Sequence, residues 1–242
     1  MSLFNKNNIP CPEPPFVSAI VAAAGNSTRM NGVNKQLLLI DGVPVLIRSL
    51  KALAANEYVR EIVVSAREED IPEFYKAAKE FGVEKLSAIV RGADTRQQSV
   101  LNAVHAVSEQ SEYLLIHDGA RPLVTNKIIN EAVITAFKTG AAAAGVRVKD
   151  TVKVVGGDES ILSTPERDTL RAVQTPQVFS KKLYLDALES VADAESFTDD
   201  CKLIEAYGGT VTVTEGSYEN IKITTPEDLV IAQALIKTRN EV

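Results

Sequence analysis

Two cations, Arg29 and Lys35, follow closely on a run of small residues, Ala22-Ala23-Ala24-Gly25. Small side chains let a backbone approach a ligand, and free N–H groups in such a turn suit phosphate oxygens. Positive charges on the same loop would balance a polyanion. The same residues also make an ordinary tight turn with solvated charges, and neither a GxGxxG fingerprint nor a P-loop is present. Other polar groups have equally plain alternatives. Asp118 can cap a turn, Arg121 before Pro122 can be a surface charge, and Thr95 after Asp94 can start a helix. Ser99 fits a solvated helix face, Thr198 an N-cap, and Lys222 between Ile221 and Ile223 a half-buried strand. Thr151 and Arg167 fall on a charged hairpin face. The two histidines complete no Ser-His-Asp set: His105 lies among Leu101, Val104 and Val107, and His117 reads as structural.

The elements that must position these residues alternate short apolar runs with helical patterns, as parallel α/β domains do. Val17 to Ala24 is a continuous apolar run ending at Gly25, so it predicts a central strand covered on both faces. Glu61 to Ala66, Leu86 to Arg91 and Tyr113 to His117 have the same character, whereas Val45–Ala55, Ile71–Phe81, Thr95–Ser108 and Asn126–Thr139 show helical spacing. In an open α/β sheet ligands sit beyond the carboxyl ends of the strands, where the Ala22–Gly25 loop lies. From Val146 to Val154 the period changes to two, and Gly156-Gly157-Asp158 supplies a turn. An antiparallel arm over about 147–172 is predicted, projecting from the main sheet. A half-exposed hairpin of that length needs something to pack against, and a second subunit supplies it. The tail predicts helices over Lys181–Val191 and Thr198–Tyr207, strands at Val211–Val213 and Ile221–Thr224, and a last helix with Thr225 as N-cap and Pro226 at its first position.

The chain has 242 residues and 45% hydrophobic content, enough for one large α/β domain over 16–242. Residues 1–15 carry four prolines without the basic start or apolar run of a signal peptide, and are expected to be a disordered lead-in. No stretch approaches the roughly 18 apolar residues of a membrane span. The net charge of −6 argues against a general nucleic-acid binder. Two cysteines make neither a disulfide framework nor a metal spacing, which fits a cytoplasmic protein.

The AAG…RM…KQ opening resembles nucleotidyltransferases of the sugar-nucleotide type. Six further segments follow in order: Arg91-Gly92-Ala93-Asp94-Thr95-Arg96-Gln97-Gln98-Ser99, His117-Asp118-Gly119-Ala120-Arg121-Pro122, Lys149-Asp150-Thr151, Gln174-Thr175-Pro176-Gln177, Thr198-Asp199-Asp200 and Asn220-Ile221-Lys222-Ile223-Thr224. Together, from Val17 to the last helix, they resemble the 2-C-methyl-D-erythritol 4-phosphate cytidylyltransferase family. The resemblance implies a Rossmann-like, mostly parallel twisted sheet flanked by helices, with the β-arm used for dimerisation. It implies transfer of CMP from CTP to 2-C-methyl-D-erythritol 4-phosphate in isoprenoid precursor synthesis, with Mg²⁺, by a homodimer whose sites are shared between subunits.

Carried over by position, Ala22, Ala23, Ala24 and Gly25 join Gly92, Ala93, Asp94, Arg96 and Ser99 in the CTP pocket. Arg29 and Lys35 would hold the triphosphate and stabilise charge building on the α-phosphorus, with Arg167 and Lys222 also assigned to catalysis. Thr151, Arg167, Thr198 and Lys222 would hold the polyol phosphate, helped by Asp118, Arg121 and Thr175. The magnesium ligands are unassigned, with Asp118 a weak candidate. Ser27 and Ala93 stand where the family has glycines, and Asn34 where proline is frequent, so modified loop geometry is expected. Two alternatives remain open here: the sister enzyme acting on ribitol 5-phosphate, and a non-catalytic nucleotide-binding regulator on the same scaffold.

Overall fold

The computed structural model describes residues 14–25, 34–192, 197 and 199–240. Its first strand, β1 (Val17–Ala22), is the predicted apolar run, buried on both faces, with side chains alternating between them. Val17, Ala19 and Val21 belong to one apolar cluster and Ile20 to another on the opposite face. After the small hairpin β2 (Leu39–Ile40) and β3 (Val43–Pro44) comes α1 (Val45–Ala54). Pro44 gives α1 no side-chain cap, yet Leu46, Ile47, Leu50 and Leu53 are buried. A lost cap costs about 1 kcal/mol, whereas each such side chain contributes about 1.5–3 kcal/mol on burial, so packing holds this helix.

The chain continues with β4 (Val59–Ala66), α2 (Ile71–Glu80), β5 (Leu86–Arg91), α3 (Arg96–Val104), β6 (Tyr113–Asp118), α4 (Asn126–Thr139) and β7 (Ala141–Arg147). Thr125 caps α4 by accepting the Ile128 N–H, and Gly140, at φ +85°, ends it in a left-handed turn. Then follow β8 (Val154–Val155), β9 (Ile161–Ser163), β10 (Arg171–Ser180), α5 (Lys181–Ser190), α6 (Asp200–Ala206), β11 (Thr212–Glu215) and α7 (Pro226–Asn240). The seven-stranded sheet has the order β11-β7-β10-β6-β1-β4-β5. Only β10 runs against its neighbours; the other pairings are parallel. One face is covered by α1, α2 and α4, and the other by α3, α5 and α6. The last helix, α7, packs through Ala232 and Ile236 on Ile40, Val45, Leu123 and Ile223. Among the described residues no helix is long and apolar enough to cross a membrane.

The α/β class and mostly parallel sheet are as expected, and several details differ. The expected lead-in, 1–15, lies outside the described residues as far as 13. The segment Val146–Val154 is not one strand: β7 stops at Arg147, and 148–153 is irregular before the short β8. The β8–β9 hairpin forms a sheet of its own. Ile161 and Leu162, 63% and 65% exposed, stand out from it. Ile221–Thr224 is not a strand either, although the Ile223 N–H bonds the Ala120 carbonyl. The cap of α6 is Asp199, which accepts the Lys202 N–H, and Thr198 lies outside the described residues.

Candidate active site

Several parallel strands end at the same edge of the sheet, and their following loops enclose a cleft of about 490 Å³. Two of its walls are held together by backbone: Ala23 N–H bonds Ser65 O at 2.8 Å, and Gly92 N–H bonds Ala66 O at 2.7 Å. Ala22, Ala24 and Gly25 line one wall; Gly92, Ala93, Asp94, Arg96 and Ser99 line the other. They touch where Gly92 meets Ala24, and a Cβ on residue 92 would come 2.3 Å from the Ala24 Cβ. Only glycine fits there. Ser99 is buried, not a solvated helix residue; its hydroxyl accepts the Ala93 N–H at 2.9 Å and faces the Ala93 and Thr95 carbonyls. Thr95 caps α3 by accepting the Gln98 N–H. The loop is thus fixed from both ends, with its remaining backbone available to a ligand.

The floor is electrostatic. Asp118, at the end of β6, receives Lys222 Nζ at 3.0 Å and Arg121 Nε at 3.2 Å on the same oxygen, Oδ2. Burial alone would push this carboxyl up, but Lys222, Arg121 and Arg96 overcome it and hold Asp118 well below the usual carboxylate range. Lys222 and Asp118 line the cleft, whereas Arg121 reaches behind it to donate to Asn220 O at 2.7 Å. Beneath Asp118 lie two fully engaged groups. Thr175 Oγ1 accepts the Asp118 N–H at 3.0 Å and lies 3.1 Å from His117 Nδ1. His117 Nε2 is 3.3 Å from Arg121 O. Burial pushes the His117 imidazole down to about 4.

Arg96 is fixed by α5 and α6, its neighbours on the same face of the sheet. Its guanidinium meets the buried Asp200 at 2.6 Å, and Asp200 also accepts the Tyr184 hydroxyl at 2.7 Å. Gln97 Nε2 in turn donates to Tyr184 Oη at 2.8 Å. A buried carboxylate with this many partners holds an arginine in one position at the cleft wall.

Such a cleft, two backbone walls over a cationic floor, fits a nucleoside triphosphate and a second phosphate. The profile of the family described as IspD, 2-C-methyl-D-erythritol 4-phosphate cytidylyltransferase, matches residues 17–238. The chain belongs to this cytidylyltransferase family. It is 48% identical to the 2-C-methyl-D-erythritol 4-phosphate cytidylyltransferase of Caldanaerobacter subterraneus, over 91% of this chain and 99% of the relative. The protein of that name from Alkaliphilus oremlandii is 42% identical, over 93% and 96%. The crystal structure of 4-diphosphocytidyl-2C-methyl-D-erythritol synthase from Anaerococcus prevotii superposes with a TM-score of 0.82 at 31% identity, covering 93% of this chain and all of that one.

Within this cytidylyltransferase the residues singled out from the sequence divide by position. Lys35, Lys222 and Asp118 share the cleft with the two backbone walls, although Ala23 is buried behind its neighbours. Thr175 and Arg121 support Asp118 from behind rather than lining the cleft. Thr151 and Arg167 lie on the exposed arm segment, away from the cleft lining, where Arg167 donates to Lys149 O at 3.3 Å. Arg29 and Thr198 lie outside the described residues. The sequence did not single out Arg67, Glu68 and Glu69, which form one rim; Arg67 is clamped by Asp70 at 2.7 Å. Gln97 was marked only as a member of the Gly92–Ser99 segment and Tyr184 not at all, because a polar residue at helical spacing carries no sign of a buried partner on a neighbouring helix.

Proposed function

We propose that this chain transfers the cytidylyl group of CTP to 2-C-methyl-D-erythritol 4-phosphate, releasing pyrophosphate, on the non-mevalonate route to isoprenoid precursors. The observation that carries it is the joining of the two backbone walls to the Lys222–Asp118–Arg121 floor in one cleft. The walls, Ala22–Gly25 and Gly92–Ser99, take the nucleotide. Lys222 and Lys35 meet phosphates, with Asp118 setting the position of Lys222. The nucleophile is a phosphate monoester with a second pKa of about 6, already largely a dianion at neutral pH, so it needs no base. Its obstacle is repulsion between anions. Lys35, joined by Arg29 on the resemblance, stabilises the charge that builds on the α-phosphorus, as preorganised cations do in phosphoryl transfer.

Magnesium is implied by the resemblance. Asp118 Oδ2 is already taken by two cations, and among the described residues no group of three His, Cys, Asp or Glu side chains is placed to hold a metal. Among the described residues, then, none builds a protein-held magnesium site. An ion would enter with the triphosphate, since magnesium binds largely through substrate phosphates and water.

The arm belongs to a homodimer in the same proposal. Val154, Val155, Ile161 and Leu162 are exposed on it, and Thr151 and Arg167 have no place in the cleft of their own chain. An arm laid across a two-fold axis covers the first set and delivers the second to the partner's polyol phosphate. The test is pyrophosphate release from CTP with methylerythritol phosphate and ribitol phosphate in parallel. Turnover mainly with the former is expected. Preference for ribitol phosphate moves the chain's substrate to the sister enzyme's, and no release with either leaves a nucleotide-binding regulator.

A further inference from the structure

The Asp118 carboxylate can organise the floor only if its own backbone is fixed, and the groups that fix it form a closed ring. Arg121 O is a carbonyl and can only accept, so the His117 nitrogen 3.3 Å away, Nε2, carries the ring proton. A neutral imidazole then presents Nδ1 as an acceptor, and the only hydrogen available at 3.1 Å is that of the Thr175 hydroxyl. Donating to Nδ1 turns the Thr175 lone pairs towards the Asp118 N–H, 3.0 Å away. Arg121 returns the chain by placing Nε on Asp118 and Nη1 on Asn220 O. Asn220 Nδ2 donates to Thr175 O at 2.9 Å, tying down the segment that carries Lys222. His117 and Asn220 are fully buried, so the bonds their side chains make are closed to replacement by bulk water.

We propose that His117 is a positioning residue for the polyol phosphate site: held as the Nε2–H tautomer, it orients the Thr175 hydroxyl and, through it, Asp118 and Lys222. The proposal rests on the cytidylyltransferase reading for the identity of the substrate, but not for the tautomer. His117 is fully buried and does not line the cleft, and its effect should fall on one substrate only, because the nucleotide walls have their own supports in Ser99 and Asp200.

Two substitutions separate the halves of the ring. H117N keeps an acceptor near the Nδ1 position and loses the bond to Arg121 O; H117Q keeps a donor near Nε2 and removes the acceptor for Thr175. With H117Q the KM for the polyol phosphate should rise about tenfold, the scale of one lost hydrogen bond, while the KM for CTP stays within about twofold. H117N should restore the polyol phosphate KM to within about threefold of wild type. Equal effects of the two substitutions, or equal rises in both KM values, would mean that His117 only fills space. A measurement on the unaltered protein needs neither folding of the variants nor activity: ¹⁵N spectra of the two histidines at neutral pH, of which His105 is exposed and His117 buried. A neutral Nε2–H form for the buried ring is expected. An Nδ1–H form, or a charged ring, overturns the proposal even if pyrophosphate is released normally. Absence of turnover with a confirmed Nε2–H ring counts against the substrate assignment alone.

Discussion

Lys35 and Lys222 approach one cleft from opposite ends of the sequence, but different surroundings suit them to different work. Lys222 is neutralised in part by Asp118 at 3.0 Å, which suits the holding of a ground-state dianion. Lys35 lines the same cleft as Ala24 and Gly25, and in the proposed reaction it meets the charge that builds in the transition state. Lys35→Ala should therefore lower kcat by at least about a hundredfold, the scale for one transition-state contact, with little change in thermal unfolding. Steady-state kinetics with both substrates saturating checks this, and a near-normal kcat removes Lys35 from the chemistry. His117 offers a different measurement. Unfolded, it binds a proton near 6.5; folded, only near 4. Between those values the unfolded chain holds more protons, so stability is lost as pH falls through the window, by about 3 kcal/mol in full. Denaturant unfolding from pH 7 to pH 4 should show this loss in the wild type and a shallower one in H117N.

Elements whose burial is written as periodicity or as an unbroken apolar run were legible from the sequence: β1, β4, β5 and β6, and helices α1 to α4, start and stop within a few residues of expectation. Two strands of the main sheet were not. The Ala141–Gly145 half of β7 has no β-branched residue, and its burial comes from α4 and α5 lying over either face of the sheet, not from local preference. Strand β10 contains Pro176, and its pairing with β7 slips between Val173 and Gln177 so that the proline needs no ladder donor. The candidate site was legible where motifs carry it, at Gly92–Ser99 and Asp118. Thr175, Asn220 and Asp200 stood in motifs too, Thr175 as a residue expected to help hold the substrate, but their partners were hidden, since these lie in segments distant in sequence. The arm belongs to this scale too. Leu162→Asp places a charge on its exposed apolar face, 65% exposed in the single chain. If that face is buried between subunits, size-exclusion chromatography with light scattering should show monomer where the wild type shows dimer; an unchanged mass places the contact elsewhere.

At the scale of the molecule, the division of the polar groups between cleft and arm gives a test by mixing. In the proposed dimer, Lys35→Ala would be impaired in its own cleft and Arg167→Ala in the arm it lends. In a mixed dimer with exchanged arms, one site receives both lesions and the other neither. Random exchange should restore activity towards about one quarter of wild type. Exchange proven by mass, with no recovery, keeps Arg167 with its own chain or out of the site. The strand β10 makes a further point about this arrangement. Its first residues, Arg171 to Val173, leave the arm, and four positions on Thr175 accepts the Asp118 N–H. Whatever grips the arm is thus only a few peptide bonds from whatever grips the substrate. If sites are completed only by association, mass action makes the two equilibria reciprocal: a bound polyol phosphate must strengthen the dimer by the factor that dimerisation strengthens its binding. Dilution should then lower activity per chain, with added substrate moving that loss to lower protein concentration, which sedimentation at nanomolar concentrations can follow. A dimer equally tight with and without substrate would leave each cleft complete in its own chain.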